Sequence, residues 1–200
     1  KAENITTTSG GAEKEDNESY YERMRDSMES FSTAGPINGY IYWTKTVSAA
    51  VLDAAVTSPE ACVVDVRVIL RDGQEATPTV LKEIEEALNA DDIRPLTDIV
   101  TVSAPDTVDF SVDATFYIAQ PNRESAAAIE REVRAAVDNF IVWQTSKMGR
   151  DINPSQLTKM MMDAGAKRVE VRQPTFQSVA DIAVGKLQSK TVLNGGLEDV

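Results

Sequence analysis

The chain has 200 residues, with 32 acidic against 20 basic side chains, 42% hydrophobic residues, one cysteine and no histidine. Such an acidic balance excludes the Lys/Arg field that reads nucleic-acid phosphates and opposes docking on anionic lipid, and no apolar run approaches the ~20 residues of a membrane helix. The missing histidine removes Ser-His-Asp and Cys-His catalysis and histidine metal ligands, and the lone Cys62 removes an internal disulfide and any multi-cysteine zinc site.

Residues 1–17 are small, polar and acidic, and carry Gly10-Gly11. They predict a flexible leader, neither a signal nor a transit peptide. Because the chain begins at Lys1 and not at methionine, further chain is expected upstream. From Ser19 a helix is predicted, with Tyr20, Met24, Met28 and Phe31 on one face. Ser32 to Pro36 stops it. Gly39 to Ala50 predicts a second short helix with aromatics on more than one side.

Residues 51–57 and 62–70 predict a hairpin through Ser58-Pro59-Glu60. Val64, Val66, Val68 and Leu70 take one face of the second strand, and Asp65 and Arg67 the other. Cys62, at the head of this valine-rich run, is expected to be a buried structural thiol, since nothing basic stands beside it. Arg71-Asp72-Gly73 is a turn. Thr77-Pro78 starts a helix that buries Leu81, Ile84 and Leu88 and ends near Asp91-Asp92.

Pro95 pushes Arg94 out of the helical region, so the helix is over by that point. Ile99 to Val102 is a strand. The alternation from Val108 to Ile118 is another, and the two are expected to pair as a hairpin across Ala104-Pro105-Asp106. A helix over 123–146 places Ala126, Ile129, Val133, Val137, Phe140 and Ile141 inward, with Gly149 as its C-cap. Asn153-Pro154 starts a further helix with Leu157, Met160, Met161 and Ala164 inward. Arg168 to Arg172 is a short strand, and VGKLQSKTVLNGG predicts one added strand.

The order β-α-β-β-α-α-β, less one helix, is the split βαβ pattern of a ferredoxin-like sandwich, an α+β fold. The expected organisation is a leader (1–17), a helical arm with the first hairpin strand (18–57), the sandwich (58–173) and a C-terminal extension (174–200).

Candidate chemistry is sparse. Asp91, Asp92 and Asp98 lie close in sequence but lack the acidic alternation and central glycine of a calcium loop. Neither Gly10-Gly11, Gly149 nor Gly195-Gly196 sits in a phosphate-binding loop. Met160-Met161-Met162 reads as two core methionines and one at the margin. No catalytic residue, metal ligand or cofactor is predicted. Val142 and Trp143 lie off the main stripe of their helix, so Trp143 needs cover, from the 18–57 arm or from another chain. Tyr40, Tyr42 and Trp43 share that feature. With Tyr20, Met24 and Phe31 these aromatics form the candidate assembly surface. Arg94 and Asp98 are read as joinery between helix and strand, with Asp98 bonding local backbone amides.

Four segments in this order resemble the baseplate J-like proteins of contractile phage tails and related injection systems. They are NESYYERM; FSTAGPINGYIYWTKTV, with Gly35-Pro36 and Tyr40; VTSPEACVVDVRVILRDG followed by IRPLTDIVTVSAP; and MGRDINPSQLTKMMMDAGAKRVEVRQP. The likeness runs from about residue 9 to the C-terminal NGGLED. The resemblance implies a structural component of a phage, prophage or injection-device baseplate, assembled in the bacterial host cytoplasm. Wedge subunits would surround the central hub, with other copies of the chain and neighbouring tail proteins as partners and no enzymatic activity. Segment 18–50 would join an inter-subunit helical bundle. The alternative is a ferredoxin-like regulatory module that binds a small molecule through Arg94, Asp98 and Arg168. A carboxylate-only hydrolase would need two facing acids that the sequence does not place.

Overall fold

The computed structural model describes residues 17–28, 35–71 and 76–199. Helix α1 (Asn17–Asp26) and helix α2 (Ile37–Val47) lead into β1 (Val51–Thr57), β2 (Val63–Leu70), α3 (Pro78–Leu88) and β3 (Ile99–Ser103). Then come β4 (Asp106–Ala119), α4 (Ala126–Thr145), α5 (Pro154–Asp163), β5 (Arg168–Gln173) and β6 (Ala183–Glu198). The class is α+β. Residues 1–16 of the leader, Phe31 and the Asp72-Gly73 part of the turn after β2 lie outside the described residues, and Asn17 already belongs to α1.

Local chemistry sets the elements. Thr77 caps α3, accepting from the Val80 amide at 3.4 Å, and Pro78 fills the first turn, where its missing N–H costs nothing. Asn153 does the same for α5, accepting from the Ser155 amide at 2.9 Å. In β2 the even residues Val64, Val66 and Val68 are buried while Asp65 and Arg67 face the other way, as the period of two requires.

Among the described residues the strands form two three-stranded sheets, ordered β1-β2-β3 and β5-β4-β6. The expected ferredoxin-like single sheet is corrected here. β3 does not pair with β4; it lies parallel to β2, from Val63 opposite Ile99 to Arg67 opposite Ser103. The reason is visible in the chain order. β2, α3 and β3 form a βαβ crossover, which returns the chain parallel to its start and buries Val100 and Val102 beneath α3. The Ala104-Pro105 link then carries the chain into the other sheet. Arg67 fixes that link, donating to the Ala104 carbonyl at 3.0 Å and reaching Asp106 at 3.2 Å and Asp65 at 2.8 Å.

The other partner of β4 is the added strand, which is longer than expected. β6 pairs parallel with β4 from Asp106–Ala183 to Ala119–Glu198, with two bulges. α4 and α5 cover this sheet, burying Phe110, Val112, Ala114, Phe116 and Ile118 against Val133, Val137, Phe140, Leu157 and Met161. The first sheet has its own core, with Tyr40, Ile84 and Leu88 over the valines of β1 to β3. A third, small cluster of Ile69, Met148 and Val184, with Leu52 and Ala55, joins the two.

Cys62 is also corrected. Its thiol is exposed and its backbone is left-handed, at φ 64°. The residue closes the turn before β2, and its carbonyl accepts the Ile99 amide at 2.7 Å, so its backbone serves the ladder while the side chain stays outside.

Candidate functional site

Arg94 and Asp98 form a knot that holds α2 to the entry of β3. Pro95 closes a turn through the Asp98 amide at 3.1 Å, and Arg94 donates to the Asp98 carbonyl within it. Among the described residues the Asp98 carboxylate bonds hydroxyls and not the backbone amides expected of it. It accepts the Tyr40 hydroxyl at 2.8 Å and the Thr97 hydroxyl at 3.3 Å. Gly35 completes the knot. At φ 67° it holds a conformation that side chains disfavour, and a Cβ there would stand 2.7 Å from Pro95 Cγ and 3.0 Å from Asp98 Oδ2. Burial, and then the Asp98 acceptor, raise the pKa of the Tyr40 phenol above its ordinary value. This is joinery, made from residues up to 63 positions apart in sequence, from Gly35 to Asp98.

The predicted aromatics fall into two groups. Tyr40 is only 3% exposed and belongs to the core of this chain. Tyr42 and Trp43 are half-buried and meet edge to face, with centroids 5.3 Å apart. Trp143 finds part of its cover inside its own half. Arg150 lies over the ring at 4.0 Å and Phe140 stands at 6.1 Å, and the ring remains half-buried. The residues of α1, and Met28 in the turn that follows it, differ. Tyr20 is 50% exposed, Met24 52% and Met28 74%, and Tyr21 beside them is 62% exposed. Phe31 lies outside the described residues.

The ligand-module residues do not converge. Arg168 lies over Tyr117 at 3.9 Å and pairs with Glu198 at 2.9 Å, while Arg94 is spent on its own turn. Neither of two open clefts, of about 620 and 640 Å³, includes Arg94, Asp98 or Arg168. Among the described residues no group of three or more Cys, Asp or Glu side chains is placed to hold a metal, and no helix is long and apolar enough to cross a membrane. Met160, Met161 and Met162 follow the expected pattern: Met161 is buried, Met160 packs against the core and Met162 is 49% exposed.

Two family descriptions match the chain in series: the baseplate J-like central domain over residues 32–104, and the baseplate J-like protein C-terminal domain over residues 108–193. The chain belongs to the baseplate J-like family. The boundary between the two matches falls at the Arg67-clamped link between the sheets. Baseplate protein J of Escherichia phage P2 is 30% identical over 208 residues, covering 99% of this chain and 65% of that protein. The chain therefore spans just under two thirds of that relative's length. The baseplate of the anti-feeding prophage, solved by cryo-electron microscopy with six-fold symmetry, contains a chain of similar fold. The TM-score is 0.61 at 13% identity, over 90% of this chain and 43% of the other.

The missed elements had partial signals. The β2-α3-β3 order is a signal for parallel pairing, and the short Ala104-Pro105 link is a competing signal for a hairpin. The Tyr40–Asp98 bond, between residues 58 positions apart, had none.

Proposed function

We propose that this chain is a non-enzymatic structural subunit of a contractile-tail baseplate, in a phage, prophage or related injection device. It works as a wedge component that binds other copies of itself and neighbouring tail proteins around a central hub, and it is assembled in the host cytoplasm. The observation that carries the reading is the uninterrupted family match, central domain then C-terminal domain, on a chain whose two sheets divide at the same link. The surface favoured for assembly is α1. Tyr20, Met24 and Met28 recur at helical spacing with half or more of each side chain in solvent, a stripe that a second helix would bury. Residues 18–57 are accordingly read as an interaction arm, and Tyr42 and Trp43 as its partly covered base.

Co-expression with neighbouring tail proteins, followed by electron microscopy of the purified particles, tests this. The wild-type chain is expected to enter baseplate-like assemblies. A Tyr20→Ser, Met24→Ser, Met28→Ser variant is expected to fold, because those side chains are exposed, and to stay out. Assembly of that variant at the wild-type level would remove α1 from the interface. Exclusion of the wild-type chain itself would remove the baseplate reading.

A further inference from the structure

One of the two clefts has a charge character opposite to that of the chain. It is lined by α1 (Arg25), by one face of α2 (Asn38, Ile41, Lys45), by β1 at Asp53 to Ala55, and by Lys147, Met148 and Asp181 of the second half. Its shape is fixed from within. The Asp53 carboxylate accepts the Met148 amide at 3.1 Å, which ties the Lys147-Met148 segment down on β1. One cleft acid is therefore already engaged. Lys45 and Lys147 are not: among the described residues neither has a carboxylate within ion-pair distance. The cleft wall carries three basic side chains, Arg25, Lys45 and Lys147, against two acids, Asp53 and Asp181, and that positive surplus favours an incoming acidic surface.

An acidic counterpart exists on the same chain. Glu83 and Glu86 on α3, and Asp91 and Asp92 just beyond its end, are exposed, and among the described residues only Glu86 of the four has an ion-pair partner, Lys82 at 3.5 Å. None of them lines the cleft. We propose that the Lys45–Lys147 cleft receives the acidic end of α3 from a second copy of this chain. The two patches are different surfaces, so the contact is head-to-tail, and repeated it gives a ring or an open chain of copies. This rests on the proposed assembly role and names the contact between copies within it.

The test is charge reversal with complementation, read by analytical ultracentrifugation of the full chain at low and high salt. Wild-type self-association is expected to weaken as salt rises. Lys45→Glu/Lys147→Glu gives a chain with two acidic patches, and Asp91→Lys/Asp92→Lys one with two basic patches. Each alone is expected to self-associate at least roughly tenfold more weakly than wild type. Mixed one to one, they are expected to associate again, because each cleft then meets a patch of opposite sign. Circular dichroism checks that both fold, and the neutral Lys45→Gln/Lys147→Gln pair, expected to be intermediate, serves if either does not. A mixture that stays monomeric overturns the proposal, as does a reversed variant that associates like wild type, or a wild-type chain that is monomeric at low salt. Failure here with normal particle entry leaves the baseplate role standing. If the cleft variant is lost from particles while the mixture fails, the cleft takes an acidic neighbour and not a second copy.

Discussion

Tyr40 shows how one hydroxyl can tie two distant pieces of chain together. Its bond to Asp98 closes the knot at the mouth of the first sheet, and Tyr40→Phe leaves the ring packed while removing that bond. The expected loss is about 0.5–2 kcal/mol, read from urea unfolding. Arg94→Ala and Asp98→Ala are expected to fall in the same range of about 0.5–2 kcal/mol. Gly35→Ala should cost at least as much, because the new Cβ meets Pro95 at 2.7 Å in a left-handed backbone. A pH dependence follows. The folded state raises the pKa of the Tyr40 phenol through burial and then through Asp98, so folding favours the protonated form. That contribution is complete below the ordinary tyrosine value of about 10 and is lost as pH rises past it. Urea midpoints at stepped pH should therefore fall more steeply for wild type than for Tyr40→Phe above pH ~10. Joinery at Arg94, Pro95 and Asp98 was legible in the sequence because proline and turn chemistry are local. The partner of Asp98 was not, since nothing local marks a contact across 58 residues. Cys62 shows a related limit: the valine-rich run beside it predicts burial, but the left-handed turn leaves the thiol outside.

Elements were more readable than their pairing. The strand alternation, the Thr77 and Asn153 caps and the apolar stripe of α4 each follow from periods that a short window contains. Pairing depends on which apolar faces compete, and β3 is not the partner of β4 that the short link between them predicts. The structure gives β4 two longer partners and leaves β3 to β2. The long outer strand is secured from α4. Arg134 donates to the Val192 carbonyl at 3.0 Å, Glu130 accepts from Asn194 at 2.9 Å, and Asp138 meets Lys190 at 2.6 Å. Such side chains occupy a strand that would otherwise invite another. Arg134 and Asn194 also hold the Glu130 carboxyl below its usual pKa, so this clasp is present at neutral pH and is lost as pH falls below the ordinary carboxylate value. Beneath the clasp, Phe116 is fully buried at the centre of the sheet, and Phe116→Ala should cost about 3–5 kcal/mol in the same unfolding experiment.

On the scale of the molecule, two cores share a narrow seam. Ile69, Met148 and Val184 are its buried members, and Arg67 clamps the chain where it crosses. Ile69→Asp would put a charge in that seam without entering either main core. Calorimetry is expected to resolve two transitions where the wild type shows one, with both sheets still formed by circular dichroism. A single unchanged transition would mean that the halves are coupled elsewhere. The family likeness was legible across almost the whole chain because its segments keep their order. The seam was not, because its members come from three remote stretches, each ordinary by itself.

The position of β6 gives the protein a direction in time. The first sheet closes within residues 51–103, whereas β4 waits for a partner that ends at Glu198. During synthesis at ~5–20 residues per second the amino-terminal half can settle on the ribosome while β4 still has an open side. Its cell therefore holds each nascent chain, for several seconds, as one finished domain carrying an unfinished sheet, the interval in which a chaperone or a premature neighbour would meet it.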